Sequence, residues 1–380
     1  MDWIVSPATD GRGLPDVLPS LLGALGVPGF TDTIGFGECR SAIALLIDGL
    51  GWELLHEHAS DAPTLTSLSG RSITAGFPTT TVTSLTSLGT GRCSGEHGIV
   101  GYTFAWPTGE LLHPLSWTLR AEGRRDVLDE LPPEQVQPLP TMLQRAADAG
   151  VEVRTVTAAE FAGTGLTRAA LRGGHFHGVR ALGDLAAGLI EAANAGGPAL
   201  CYGYHGHLDL LGHIHGPGSL PWRMQLRQID SLVALIAEHL PPGAVMVVVA
   251  DHGMVAVDPS AALDFDNDPR LRQGVRLLGG EVRARHVYTR PGATDEVLAA
   301  WREVVADRGL VLTGEQAVEE GWFGPVVADP VGQRIGDVIA VMRESGVIRS
   351  VAEPGESSLR GQHGSLTSAE QLIPALVVTG

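Results

Sequence analysis

The chain has 380 residues, enough for roughly two or three domains, and its 44% hydrophobic and 18% charged residues exclude wholesale disorder. A formal net charge of −17 excludes the broad basic face that stable nucleic-acid binding or anionic-membrane binding requires. All 26 basic residues are Arg, so chemistry that needs a lysine amine is excluded, from PLP Schiff bases to Walker A loops and the ATP-pairing lysine of kinases.

In chain order, the first expected element is a short amphipathic helix over residues 15–25, closed by Gly26 and Pro28. Residues 41–47 (SAIALLI) form a continuous apolar run that reads as a buried strand ending at the turn Asp48-Gly49-Leu50-Gly51. The stretch 79–90 is rich in Thr and Ser, its segment TVTSLTSL reads as a helix, and glycines punctuate the chain from there to Gly101. Strands are expected over 151–157 and 199–204, with a helix over 181–193 between them. Ser219 and Pro221 open a helix that runs to Leu240, where Pro241-Pro242-Gly243 breaks it. Residues 244–250 (AVMVVVA) are the clearest strand in the chain and end at Asp251-His252-Gly253. Residues 264–332 differ in character, with an acidic turn (Asp264, Asp266, Asp268), a strand-like EVRARHVYTR and a helix over 294–308. Strands over 336–342 and 372–378 then return to the core.

This alternation predicts an α/β fold with a mostly parallel central sheet and helices on both faces. Residues 1–263 and 333–380 are expected to form a metal-binding catalytic core, and 264–332 a small α+β cap insertion. Cys39, Cys93 and Cys201 make neither a disulfide framework nor a CxxC pair. The N-terminus MDWIVSPATDGRG has no basic region followed by an apolar stretch, and the seven-residue run 244–250 is far short of a membrane span. A cytoplasmic protein without a membrane partner is therefore the expectation.

The chemistry sits where strands end. Asp48 ends the first strand, His205, His207 and Asp209 follow the third, and Asp251 and His252 end the fourth. In open α/β sheets, ligands bind in the crevice beyond these carboxyl ends. Asp209 and His213, spaced i and i+4, share one helix face. His363 lies in the Gly-flanked loop GQHGSLT, where backbone freedom lets a side chain be aimed. Asp48, Asp209, His213, Asp251, His252 and His363 offer six N/O ligands, too many for one tetrahedral site but suited to two ions with open positions. Carboxylate with imidazole suits zinc well, and manganese or another divalent metal less distinctively. His205, His207 and His215 compete for the same role. A hydroxyl from Thr79, Thr80 or Thr81, at the start of a helix, gains from the positive end of the dipole and its free N–H groups. Cys93 lacks the following Pro and Arg of a sulfatase motif.

With these residues together, the chain resembles the alkaline phosphatase superfamily, and within it the nucleotide pyrophosphatase/phosphodiesterase (type I phosphodiesterase) branch. The matching segments, in the family's order, are ALLIDGLGW, AGFPTTTVTSLTSLGTGRCSGEHGIVGY, LDLLGHIHGPGS, VVVADHGM and GQHGSLT. The resemblance implies that Thr81 is the nucleophile, with Thr79 and Thr80 its neighbours. It implies two Zn2+ per chain, one held by Asp209, His213 and His363 and the other by Asp48, Asp251 and His252 with the Thr81 oxygen. The sequence departs from the family after HGIVG, where Tyr102 stands in the place of an Asn whose amide often holds a phosphate oxygen.

The implied activity is hydrolysis of phosphodiester or nucleotide pyrophosphate bonds in a small substrate, through a covalent phosphothreonine (nucleotidyl-threonine) intermediate. A phosphomonoesterase or phosphonate hydrolase with the same metals is the alternative, and an inactive metal-binding scaffold is a third reading. A monoester dianion needs an extra cation, and the local sequence offers no Arg beside Thr81, since Arg92 lies about three helical turns on. Arg283, Arg285 and His286 in the cap are expected to shape the leaving-group pocket.

Overall fold

The computed structural model describes residues 2–120 and 123–380. Strands of the central sheet and of a smaller second sheet are, in chain order, β1 (Ser41–Ile47), β2 (Ser69–Thr74), β3 (Glu152–Ala158), β4 (His175–Val179), β5 (Ala199–His205), β6 (Ala244–Val249), β7 (Val275–Glu281), β8 (Ala284–Thr289), β9 (Gly309–Thr313), β10 (Val338–Met342) and β11 (Leu372–Thr379). The helices that matter here are α1 (Val17–Ala24), α2 (Thr81–Thr90), α3 (Met142–Asp148), α4 (Leu182–Ala193), α5 (His207–His215), α6 (Leu220–Ala237) and α7 (Thr294–Val305).

The central sheet has the order β2-β11-β6-β1-β5-β3-β4, and β11 alone runs against its neighbours. β1 and β6 are buried along their whole length, which is why their sequences are continuously apolar and not alternating. Helices flank the sheet in two groups: α1, α2 and α3 touch one another, and α4 touches α6. The mostly parallel α/β sheet read from the sequence is the observed fold. Registers Ile47↔His205 and Leu46↔Val249 bring the ends of β1, β5 and β6 to one edge, so the residues that follow each strand emerge side by side.

The second sheet is antiparallel, in the order β7-β8-β10-β9, with α7 packed on it and a core of its own that includes Val287, Trp301 and Val338. Here the sequence expectation fails for residues 336–342. That strand does not return to the central sheet; it sits between β8 and β9, and Val347 also belongs to the smaller core. A short buried apolar run carries no information about which sheet it joins, so position in the chain misled the reading. A ribbon of four short strands within residues 104–126 also went unread, because each is only two or three residues long.

Arg283, at the turn between β7 and β8, joins the two layers. Its guanidinium is 1% exposed and donates to both carboxylate oxygens of Glu370, at 2.7 and 2.9 Å, and to four backbone carbonyls. Glu370 also accepts from Ser365 N and from the Thr367 hydroxyl, and its backbone carbonyl accepts from Gly253 N. Replacing Arg283 alone leaves a buried, uncompensated carboxylate. Arg283→Met should therefore cost about 3–5 kcal/mol in urea unfolding, and Arg283→Met with Glu370→Leu should recover part of that loss. A single variant within about 0.5 kcal/mol of the parent would show that the pair does not hold the layers together.

Candidate metal centre

Two groups of ligand-type side chains form at the shared strand edge: Asp48, Asp251 and His252, and Asp209, His213 and His363. Asp48 follows β1, Asp251 and His252 follow β6, and Asp209 and His213 lie one turn apart on α5. His363 comes from a distant part of the chain. The two-residue pairing of Val255–Ala256 with Gly361–Gln362 lays its loop against the Asp251-His252 turn. Gly49 permits the close approach of α5: its φ is +74°, and a Cβ there would meet Asp209 Cβ at 3.0 Å.

The three imidazoles are oriented in the same way. Nδ1–H of His252 donates to Gly253 O at 2.9 Å, that of His213 to Gly361 O at 2.8 Å, and that of His363 to Thr79 O at 2.7 Å. Each ring therefore presents an Nε2 lone pair to the centre. Nε2 of His213 and Nε2 of His363 are 3.2 Å apart, and Nε2 of His252 lies 3.5 Å from Asp48 Oδ1 and 3.4 Å from Asp251 Oδ2. Asp48 Oδ1, Asp209 Oδ1 and Asp251 Oδ2 are buried without a hydrogen-bond partner among the described residues. Burial, with Asp251 and Asp209 nearby, holds the Asp48 carboxyl well above its usual range, and burial with the neighbouring His252 holds His363 well below its own. Facing lone pairs and orphaned carboxylate oxygens fit divalent cations and little else.

Supporting bonds fix the ligands. The Tyr204 hydroxyl donates to Asp48 Oδ2, and Gly49 N donates to Asp251 Oδ1 at 3.1 Å. Tyr204 and Glu281 were not read as site residues. Tyr204, which ends β5 beside His205, could have been suspected from that position. Glu281 is buried on β7, with its Oε2 3.7 Å from His363 Nδ1, and nothing local marks it.

The competing histidines fall outside both groups. His205 is bonded to Gln225 at 3.0 Å and packs edge-on against His207, and His215 is exposed. Among the threonines, Thr79 is fully buried; its hydroxyl donates to Ser365 O and accepts from Gly364 N, both at 2.9 Å. Thr80 is the N-cap of α2, and Thr81 is its first residue, with Oγ1 3.3 Å from His252 Nε2. Arg92 is half exposed and paired with Glu96 at 3.3 Å, away from the centre.

A cavity of about 470 Å3 opens over the second group, lined by Thr81, Tyr102, Asp209, His213 and His363. Of the cap residues expected there, only Arg285 lines it. Arg283 is committed to Glu370, and His286 is fully buried, its Nδ1 accepting from Gly336 N. Arg283 lies at the turn before β8, and His286 follows Arg285 on the strand and so points to the opposite face of the small sheet.

Fold and site define a phosphoester hydrolase of the alkaline phosphatase superfamily. The chain belongs to the type I phosphodiesterase / nucleotide pyrophosphatase family, whose model matches residues 42–366; it is a metal-dependent family. No curated protein matches the sequence. Among solved structures, it is similar to murine ectonucleotide pyrophosphatase/phosphodiesterase 5, an inactive variant in complex with AMP, at 17% identity and a TM-score of 0.67, covering 89% of this chain and 87% of that one. It is also similar to phosphonoacetate hydrolase from Sinorhizobium meliloti in complex with phosphonoacetate, at 20% identity and a TM-score of 0.63, covering 90% and 91%. At these identities the likeness concerns the fold. No helix among the described residues is long and apolar enough to cross a membrane.

Gly49→Ala tests the packing of α5 on the strand edge. The left-handed backbone and the displaced Asp209 together should cost about 1–2 kcal/mol in thermal unfolding and lower bound metal in elemental analysis. Parent-like melting and metal content would show that this approach is not needed.

Proposed function

We propose that this protein hydrolyses phosphodiester or nucleotide pyrophosphate bonds in a small substrate through a phosphothreonine intermediate on Thr81. The observation that carries the reading is the Thr81 hydroxyl, at the first residue of α2, within 3.3 Å of His252 Nε2 and on the wall of the cavity. Asp48, Asp251 and His252 would hold one divalent ion, and Asp209, His213 and His363 a second; we take both to be zinc. Bound there, such ions supply Lewis-acid charge neutralisation and favour the deprotonated form of an oxygen ligand.

The chain's own residues account for the remainder. Thr81 Oγ gives up its proton to solvent and attacks phosphorus in line; the bond from phosphorus to the leaving oxygen breaks on the opposite side, and that oxygen takes a proton from solvent. The N-terminus of α2 turns free N–H groups and the positive end of the helix dipole toward the phosphoryl group. Tyr102, lining the same cavity, donates its O–H to a non-bridging oxygen, a task for which a phenol suffices in place of an amide. Water then cleaves the phosphothreonine in a second inversion and restores Thr81. The solved relatives' ligands, AMP and phosphonoacetate, are small phosphorus compounds of a size this cavity admits.

Metal content should be about two zinc per chain, and chelation should abolish turnover of bis-p-nitrophenyl phosphate until zinc is restored. Full activity in the metal-free protein would end the metal-dependent reading. Thr81→Ala should lower kcat by several orders of magnitude with unchanged melting, and Thr81→Ser should retain measurable activity. Were Thr80→Ala the inactive variant instead, the nucleophile would be its neighbour. Tyr102→Phe should reduce kcat about 100-fold, and parent-like kinetics would assign the ring to packing against His113, which it meets edge-on at 4.4 Å. A panel adding p-nitrophenyl phosphate and a nucleotide 5′-monophosphate p-nitrophenyl ester separates diester from monoester preference.

A further inference from the structure

The wall of the cavity away from the strand ends carries charge that the reaction at Thr81 does not use. Arg120, Arg124, Arg285 and Arg349 line it, with Glu353 and Glu356 among them. Glu353 accepts from Arg120 at 2.5 Å and from Arg124 at 3.1 Å. Glu356 accepts from Arg285 Nη2 at 2.6 Å and from the backbone N of Arg349 at 2.7 Å. The two carboxylates are thus taken up by three guanidinium groups. That of Arg349 has no carboxylate partner among the described residues, and the Nε atoms of Arg349 and Arg120 are buried without any acceptor. A buried guanidinium N–H without an acceptor is a hydrogen bond left unmade, and an oxyanion entering the cavity would make it.

The wall is built rigidly. The loop after Arg349 is tied to the acidic turn by Ser350 Oγ donating to Asp264, and by the backbone N–H groups of Val351 and Ala352 donating to Asp266 Oδ2 at 2.8 and 2.9 Å. Arg120 approaches from the short-stranded ribbon, Arg285 from β8, and Arg349 from beyond β10, so three separate chain segments converge on one volume. The facing side is apolar, with Leu115, Leu210 and Ile214 each about half exposed at the rim.

We infer that Arg349 and Arg120 form a subsite for a second anionic group of the substrate, an oxyanion separated from the scissile phosphoryl group by a short, partly apolar spacer. Phosphoryl and carboxylate share the chemistry recognised here, since a guanidinium fork matches either. This rests on the hydrolase reading above for the position of the scissile group, and it narrows the substrate to a small molecule with two anionic ends. The pair acts on binding; neither arginine is assigned a part in the attack by Thr81.

Three probes decide the matter on zinc-loaded full-length protein, each measured by calorimetric binding and as an inhibitor of bis-p-nitrophenyl phosphate hydrolysis. Propylphosphonate carries one anion, and propane-1,3-bisphosphonate and 3-phosphonopropionate carry two. The parent should bind at least one two-anion compound about ten-fold or more tightly than propylphosphonate, and which one it prefers identifies the second group. Arg349→Met should bring that ratio to near one, and Arg349→Lys should restore part of it. Arg120→Gln, checked for folding by its melting curve because its partner Glu353 then keeps only Arg124, should act in the same direction. Equal binding of all three probes by the parent would overturn the subsite. So would an Arg349→Met variant that keeps the ratio, or one that loses propylphosphonate binding to the same extent, since the guanidinium would then act on the phosphoryl group at the centre. A preserved binding ratio in a protein that hydrolyses none of the test esters would overturn the hydrolase reading and leave the subsite standing.

Discussion

Three carboxylates and three imidazoles meet at one edge of the central sheet, with no lysine or arginine of the chain bonded into the cluster. This is the constraint on which the arrangement around it depends. Like charges this close repel strongly in a dry interior, and burial removes the water that would screen them. Each imidazole commits its Nδ1–H to a backbone carbonyl and turns its Nε2 toward the carboxylates. A divalent cation from outside the chain would satisfy the orphaned oxygens and the facing lone pairs together. The fold can carry such a cluster because β1, β5 and β6 are fixed by parallel pairing along their length before the ligands emerge.

The contributions from the C-terminal part of the chain follow from the same need for rigidity. His363 is held from two sides: its ring donates to Thr79 O, and the Thr79 hydroxyl clamps the next two residues of its loop. Glu370 then gathers that loop, the Gly253 turn and the small sheet into one network through Arg283. The small sheet is therefore joined through this network to the candidate metal ligands. It also lines part of the cavity through Glu281 and Arg285, so a shift of the small sheet would alter the site as well as its covering.

What could be read from the sequence divides along physical lines. β1 and β6 were legible because full burial leaves a continuous apolar signature, and the grouping of Asp48, Asp251 and His252 because aspartate and histidine at neighbouring strand ends emerge side by side. The pairing of Asp209 with His213 followed from helix geometry alone. β2 was not legible: SGRSIT is a polar edge strand, half solvated, with no periodicity to mark it. β10 was legible as a strand but not as a partner of β8, since the pairing is set by the whole small sheet. The convergence of Arg120, Arg285 and Arg349 had no local signature, because the three come from segments more than 60 residues apart that only the tertiary fold unites. Likewise Thr79, Thr80 and Thr81 look alike in sequence, and what distinguishes them is where each hydroxyl ends up bonded.

The position of those arginines also bears on how a chain with a net charge of −17 would take up an anionic substrate of the kind proposed. Long-range repulsion from an acidic surface is screened within about 8 Å at physiological salt, so the surface matters less than the charge inside the cavity. There the sign is reversed. Two divalent ions held as proposed carry more charge than the three ligand carboxylates remove, and the arginine wall exceeds its two glutamates. Low-dielectric walls focus such a field toward the mouth, where the leucine and isoleucine rim adds no opposing charge. With this distribution the positive charge is confined to the cavity, so a small anion that fits inside it would meet a favourable field that a larger polyanion outside would not. Selectivity for size and selectivity for charge then arise from the same distribution of residues, and neither requires a basic face.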